Sequence, residues 1–175
     1  MMQFPVKGEY GDSYEAYIAK VKGQDISALL VSQIEELRFF FDQLSEEKAG
    51  KSYLKGKWSY KQLLGHINDT EKVMFFRALC FARNEKQPLP GFDQDDYVNA
   101  ANFNDIHLTN LLEDFDLTRR SLSYFLKNLP EEAFSRTGTV NEQTMSVRAL
   151  LHIIPGHFEH HLTILKSIPQ SNPAK

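Results

Sequence analysis

The 175-residue sequence has only one cysteine, Cys80, which excludes an internal disulfide and a metal site built on several thiolates. It has no apolar run approaching the roughly 18–20 residues that cross a bilayer. Its first residues lack the basic and apolar blocks of a signal peptide. Its net charge of −3, without a Lys/Arg-rich face, argues against nucleic acid as a partner. We therefore expect a cytoplasmic protein with neither a membrane nor a nucleic-acid partner.

What the sequence does contain is the composition of an ordinary globular domain, with 42% hydrophobic and 25% charged residues. A chain of this length fills one core and is short for two, so we expect a single domain over residues 1–175. Its N-terminal segment, residues 1–24, has an apolar spacing that predicts a short helix over 14–21. Residues 131–145 predict a hairpin or a loop, and residues 170–175 predict a loose tail.

Four longer stretches show the apolar spacing that marks one face of a helix. They run from Asp25 to Leu44, from Trp58 to Arg83, from Asn104 or Asp105 to Asn128, and from Ser146 to Ile168. Ser59 and Gln62 form a capping-box pattern in the second stretch. Pro155 is expected to kink the fourth helix or divide it in two. The acidic segment 92–97 predicts a solvated loop or a helix cap. Together the four helices predict an all-α four-helix bundle.

The fourth stretch also contains three histidines within five residues, at positions 157, 160 and 161. His157 and His161 are four apart, which on an α-helix places their rings about 40° apart around the axis and about 6 Å along it. Both imidazoles can then reach one metal ion. A structural interpretation is equally open, in which the two are histidines at the rim of the core, hydrogen-bonded to neighbours. His160 and His152 are predicted to face solvent.

A third imidazole ligand would have to come from another helix, where only His66 and His107 remain. The periodicity of the second helix places His66 about 120° from its apolar face, exposed or in a groove. His107 is predicted to lie on the surface. Glu71, in contrast, falls on the apolar face, and a buried carboxylate requires a partner. Arg77, a metal-bound imidazole or another salt bridge within the bundle would supply one.

Two motifs resemble those of one protein family. Residues 57–71, KWSYKQLLGHINDTE, resemble the W-S-x-x-E-L-L-x-H-I-x-D-x-E signature of the DinB-like (YfiT-like) superfamily of metal-dependent hydrolases. Residues 156–161, GHFEHH, are similar to its closing G-H-x-x-H-H. The resemblance covers nearly the whole chain and implies a four-helix bundle with an unusual order of helices, assembled as a homodimer. It also implies a metal site formed by His66, His157 and His161.

The resemblance further implies an enzyme, since three imidazoles leave coordination positions open for water or a substrate. An all-nitrogen site suits a divalent ion such as zinc or nickel, and also iron or manganese. Some members of the superfamily are thiol S-transferases that use a low-molecular-weight thiol as co-substrate. We therefore expect a thiol-dependent S-transferase or a hydrolase, acting on a small-molecule substrate.

Two carboxylates near His66 are candidates for the chemistry. Asp69 and Glu71 would orient a ligand imidazole or act as a base. A different function is also open, that of a non-catalytic, dimeric binding or stress-response module with a vestigial metal site. Two residues depart from the family pattern. Pro155 affects how His157 approaches the metal site, and Gln62 affects only the capping of its helix.

Overall fold

The structure, a computed structural model, describes residues 2–168. The helices within this range are α1 (Glu15–Lys20), α2 (Ile26–Phe41), α3 (Glu46–Ala49), α4 (Tyr60–Ala82), α5 (Gln94–Ala101), α6 (Leu108–Lys127) and α7 (Val147–Ser167). Strands β1 (Thr137–Val140) and β2 (Gln143–Ser146) form an antiparallel hairpin, and 3-10 turns lie at Asp12–Tyr14, Phe103–Asp105 and Glu131–Ser135. None of the helices in residues 2–168 combines the length and the apolar character of a membrane span. The tail predicted over 170–175 lies outside the described residues.

The predicted all-α four-helix bundle is confirmed, and α2, α4, α6 and α7 are its long helices. α4 packs against both α6 and α7, and α2 packs against the same two helices from the other side. The contacts therefore run from α2 to α6, α4, α7 and back to α2, which places α2 and α4 on a diagonal. The predicted short N-terminal helix is also present, as α1, and it lies along α7.

Local signals in the sequence set the start of α4 but not that of α6. Ser59 and Gln62 form the predicted capping box, in which the Ser59 hydroxyl accepts from the Gln62 amide and the Gln62 side chain accepts from the Ser59 amide. The third long helix begins at Leu108, later than predicted. The reason is that residues 103–105 form a 3-10 turn and His107 has an extended backbone.

α7 runs without a break through Pro155, so the alternative in which the helix divides there is wrong. Proline removes one backbone donor from the helix. The carbonyl of Pro155 itself accepts a hydrogen bond from α2, from the side-chain Nε2 of Gln33 at 3.1 Å. The β1–β2 hairpin, one of the two forms predicted for residues 131–145, leads directly into this helix. It supplies Ser146, whose hydroxyl accepts the Ala149 amide and caps α7.

The core consists of two apolar clusters that meet at the same level of all four long helices. On each long helix the boundary between the two clusters falls between two buried apolar residues: Leu30 and Ile34 on α2, Ile67 and Met74 on α4, Phe115 and Leu122 on α6, and Ile154 and Phe158 on α7. Buried polar side chains occupy this level, among them Gln33, Glu71 and Arg119. A polar layer therefore crosses the bundle between two apolar halves.

The polar layer is a hydrogen-bond network centred on Arg119, which is fully buried. Its Nε donates to both carboxylate oxygens of Glu71, at 2.8 and 2.7 Å. Its Nη1 donates to Oε1 of Gln33 at 2.6 Å, and Gln33 in turn holds the Pro155 carbonyl, so the network joins all four long helices. The partner of Glu71 is thus Arg119, in a salt bridge within the bundle. The two alternatives, pairing with Arg77 and pairing with a metal-bound imidazole, are wrong.

Breaking this ion pair should destabilise the fold more than replacing both partners. We expect Glu71→Leu to lower the free energy of unfolding by about 3–5 kcal/mol, because it leaves Arg119 charged and unpaired in the core. Adding Arg119→Met should restore much of that loss. Urea denaturation followed by circular dichroism measures both variants. Glu47→Leu breaks the exposed pair with Lys51 and should change stability little, because solvent screens this pair. An equally small effect of Glu71→Leu would contradict this account.

Candidate metal centre

His66 lies on α4 in the interior of the bundle, with 3% of its surface exposed. Of the two alternatives from periodicity, exposure to solvent is wrong, whereas a groove remains, since His66 lines a cavity. This part of α4 packs against α5, α6 and α7 together, so that even Lys61 and Asn68 are buried. On a helix buried on nearly every side, the angle from the apolar stripe no longer predicts exposure. The His66 ring packs against Trp58, with centroids 4.9 Å apart.

α7 presents His157 and His161 to His66 across the contact between α4 and α7. The Nε2 atom of His157 lies 3.2 Å from that of His66 and 3.0 Å from that of His161. One ring nitrogen from each of the three lies within 4.8 Å of the other two. Within residues 2–168, this is the only group of three histidine, cysteine or acidic side chains with such geometry. The structure therefore brings together the three histidines that the family resemblance singles out.

The spacing of these nitrogens fits a tetrahedral metal ion. At a metal–nitrogen distance of about 2.0–2.1 Å, two ligands of such an ion lie about 3.3 Å apart, close to the 3.0 and 3.2 Å observed. Hydrogen bonds do not explain both contacts, because a ring nitrogen either donates one proton or accepts with one lone pair, and Nε2 of His157 faces two neighbours. Its Nδ1 is buried without a hydrogen-bond partner among the described residues. Three lone pairs that point to one place have the geometry to hold a shared cation.

Burial keeps all three imidazoles neutral. It lowers the pKa of His66 to about 4 and that of His161 to about 3. The pKa of His157 is lowered well below the ordinary histidine value, first by burial and then by the neighbouring His161 and His66. A neutral imidazole has a free lone pair, so the three rings can bind a metal ion at neutral pH without first losing protons.

α1 covers one side of the cluster. Tyr17 packs edge-on against His157, with centroids 5.4 Å apart, and against His160, with centroids 5.3 Å apart. This approach requires a glycine at position 156, because a Cβ atom there would lie 2.1 Å from the Tyr17 carbonyl oxygen. Gly156 of the closing motif thus lets α1 come close enough to α7 to restrict the His157 ring.

The remaining histidines lie outside the cluster. His160 is half-buried, and His107 is exposed, as predicted. His152 is buried, so its predicted position in solvent is wrong. Its ring packs against Phe4, and its Nδ1 lies 2.8 Å from the Arg148 carbonyl. The N-terminal segment packs over this side of α7. The apolar periodicity of α7 alone could not predict that His152 is buried there.

The two candidate carboxylates do not join the histidine cluster. Glu71 is paired with Arg119 in the polar layer. Asp69 is half-buried, and burial raises the pKa of its carboxyl. The side chain that approaches a ligand ring is instead Thr70, whose Oγ1 lies 3.5 Å from Nδ1 of His66. That distance is at the outer limit of a hydrogen bond, so its hold on the ring is weak.

A cavity of about 310 Å³ opens beside His66 and His157. Its other walls are formed by Tyr14, Tyr17, Thr70, Met74, Phe92, Asp93, Gln94 and Asp95. The acidic segment is the predicted helix cap, since the Asp93 carboxylate accepts the amides of Asp95 and Asp96 at the start of α5. The same segment also forms part of the cavity wall. That position depends on how α5 packs on α4, and no pattern in the sequence predicts it. The cavity leaves one side of the histidine cluster open to a small molecule.

Fold and site together define a four-helix bundle that presents three clustered histidines beside a cavity, two of them buried and one, His161, half-buried. Residues 29–165 match the DinB superfamily, and the chain belongs to that superfamily. A relative from Oceanobacillus iheyensis, named "putative metal-dependent hydrolase OB0413", is 28% identical over 135 residues, which cover 75% of this chain and 76% of the relative.

Two solved structures share the fold. YfiT from Bacillus subtilis, described as a "probable metal-dependent hydrolase with an unusual four-helix bundle topology", superposes with a TM-score of 0.75 and 14% identity, covering 95% of this chain and 91% of YfiT. A mycothiol-dependent maleylpyruvate isomerase superposes with a TM-score of 0.66 and 14% identity, covering 83% of this chain and 63% of the isomerase. The DinB-like, YfiT-like resemblance read from the sequence is confirmed.

The low histidine pKa values predict that the metal-free fold is sensitive to acid. Below about pH 6.5 the unfolded chain binds protons at these histidines, whereas folded His66 does so only near pH 4 and His161 near pH 3. The free energy of unfolding should therefore fall as the pH falls through this window, by up to about 1.4 kcal/mol per pH unit for each buried histidine. Urea denaturation with a chelator at about pH 7.5 and about pH 5.5 measures the loss. His66→Gln should lose less than wild type, and equal losses would contradict the assignment.

Proposed function

We propose that this protein is a metal-dependent enzyme in which His66, His157 and His161 bind one divalent ion. The observation that carries the proposal is the convergence of three neutral ring nitrogens, with contacts of 3.0 and 3.2 Å, beside an open cavity. Three protein ligands leave room for a further one, which is the pattern of catalytic rather than structural zinc sites. Nitrogen ligands suit zinc and nickel, and also iron and manganese.

A divalent ion held here would lower the pKa of a coordinated water or thiol and polarise a substrate oxygen. The chain's own residues hold the ligands and shape the space for the substrate. Tyr17 packs on the His157 ring, and Met74 and Phe92 supply the apolar part of the cavity wall. Asp93 is engaged in capping α5. Asp95, in the same wall, is therefore the carboxylate that we assign to accept a proton from a bound molecule.

Two reactions fit this site, and they differ in the nucleophile. Hydrolysis uses water, and the relative from Oceanobacillus iheyensis bears a hydrolase name. Thiol S-transfer uses a low-molecular-weight thiol as co-substrate, and the solved isomerase with this fold is mycothiol-dependent. Both nucleophiles become reactive when their proton is lost, which is the change that a metal ion promotes. The proposed activity is therefore hydrolysis or thiol transfer on a small-molecule substrate.

A second function rests on a different surface. Phe76 and Leu79 on α4, and Leu117 and Tyr124 on α6, are 56%, 39%, 61% and 70% exposed. Exposed apolar side chains on two adjacent helices favour the pairing of two copies as a homodimer. The alternative is thus a non-catalytic dimeric binding or stress-response module whose histidine site is vestigial. Metal content and activity distinguish it from the enzyme.

Protein purified without a histidine tag should carry about one divalent ion per chain by inductively coupled plasma mass spectrometry. Changing His66, His157 or His161 to Ala removes a ligand and should lower the retained metal at least about tenfold after dialysis against a chelator. His107→Ala is the matched control, because this exposed histidine lies outside the cluster, and it should retain full metal. Stoichiometric metal in all three cluster variants would remove the assignment, and metal-free wild type would favour the non-catalytic module.

Assays with and without an added thiol distinguish hydrolysis from thiol transfer. Wild type loaded in turn with zinc, nickel, iron or manganese is assayed with ester and amide substrates alone, and with electrophiles plus a low-molecular-weight thiol. Product formed without thiol indicates hydrolysis, and a thiol conjugate indicates S-transfer. His161→Ala should lose either activity, because it removes a ligand of the metal. The absence of both activities with all four metals would contradict the enzyme proposal.

A further inference from the structure

Arg77 is a buried cation without an acidic partner. It is 3% exposed, and no carboxylate within residues 2–168 lies at ion-pair distance from it. Its Nη2 donates to the Pro90 carbonyl at 2.9 Å, and its Nη1 lies 3.5 Å from the sulfur of Met74. Arg119, which is also buried, is in contrast paired with Glu71. Burying a guanidinium without an acidic partner is unfavourable, so its presence at position 77 points to a role other than stability.

The electrostatic surroundings of Arg77 show the same imbalance. Burial is the largest influence on this side chain and lowers the pKa of its guanidinium, while Tyr14 and Tyr97 favour the charged form. Neutral hydroxyls compensate a cation only partly, because they offer dipoles rather than a negative charge. The guanidinium therefore retains capacity to bind an anion.

Arg77 lines a second cavity of about 310 Å³, between α4 and the segment that leads into α5. The other cation in its wall is Lys72, whose ammonium is already paired with Asp114 at 2.6 Å. No carboxylate is among the described residues that line this cavity. The rest of the wall is mainly apolar or aromatic, formed by Val73, Phe76, Leu89, Pro90, Gly91, Phe92 and Tyr97. The cavity thus combines an apolar lining with one uncompensated cation.

We propose that this cavity binds a small carboxylate with an apolar body and that Arg77 holds the carboxylate group. The planar guanidinium matches a carboxylate through two parallel hydrogen bonds. An apolar pocket with few polar anchors is the usual composition of a small-molecule site, and the volume lies at the lower end of the range of about 300–1,000 Å³ for such sites. A phosphate dianion fits less well, because Lys72 is engaged by Asp114 and Arg77 alone is free to pair with it.

The Arg77 cavity adjoins the histidine cavity. Phe92 lines both, and its ring centroid lies 5.7 Å from Cζ of Arg77. Met74, which Arg77 contacts, also lines the histidine cavity. Arg77 follows His66 by eleven residues on α4, about 16 Å along the helix axis. A molecule anchored at Arg77 would therefore extend past Phe92 toward the histidines. The idea that such a molecule reaches the histidines rests on the proposed function, whereas the binding of a carboxylate at Arg77 does not.

Calorimetric titration with 4-phenylbutyrate and with its uncharged amide tests the proposal. Wild type should bind the carboxylate at least about tenfold more tightly than the amide, because only the carboxylate pairs with the guanidinium. Arg77→Met should abolish this preference, and Arg77→Lys, which keeps the charge without the planar fork, should keep part of it. Arg120→Met removes an exposed arginine paired with Asp116 and is the matched control, which should bind like wild type.

Three results would overturn the proposal: equal binding of acid and amide by wild type, an unchanged preference in Arg77→Met, or tighter binding of inorganic phosphate than of 4-phenylbutyrate. Near-UV circular dichroism shows whether Arg77→Met is folded. If it is not, Arg77→Lys replaces it, and an undiminished preference for the carboxylate in Arg77→Lys would overturn the proposal. His161→Ala should bind 4-phenylbutyrate like wild type. Loss of binding in that variant would place the carboxylate at the histidines and refute the assignment to Arg77. Absence of metal from wild type would refute the proposed function and leave these affinities unchanged.

Discussion

The mutual approach of three neutral imidazoles, two from α7 and one from α4, is the contact on which the interpretation of this structure depends. It exists because α4 and α7 pack directly against each other and His66 is buried at their contact. Burial then keeps the rings uncharged, which is the protonation state that a metal ion requires of them. Gly156 lets Tyr17 close over His157 and fixes one edge of the arrangement.

The bundle separates the charges that hold it together from the groups available for binding. Arg119 lies close enough to His157 to lower the pKa of that ring further, and Glu71 compensates its charge within the polar layer. Glu71, the carboxylate that periodicity places on the apolar face of α4, is thus committed to the ion pair that stabilises the bundle. Arg77, without such a partner, is on the cavity side of the same helix α4. The single helix α4 therefore carries a histidine of the cluster, one partner of a buried ion pair and a buried arginine without an acidic partner among the described residues, each at a different level along its axis.

Local patterns in the sequence predict the four helices, the capping box of α4 and the convergence of His157 and His161, because all of these depend on residues a few positions apart. They fail for His66, since burial of α4 on nearly every side is a property of the assembled bundle. They also give no sign that Arg119 is the partner of Glu71, a contact between residues 48 apart on different helices. The inclusion of His66 in the site comes from family resemblance and not from periodicity.

X-ray absorption spectroscopy of the zinc-loaded protein tests the central claim most directly, because it reports the ligands of the ion itself. The account predicts a first shell at about 2.0–2.1 Å that contains three imidazole nitrogens and one further light atom. It also predicts that His66→Ala lowers the number of imidazoles to two, since α4 supplies the third ring. A first shell with fewer than three imidazoles in wild type, or one unchanged by His66→Ala, would contradict the claim that the two helices share one metal ion.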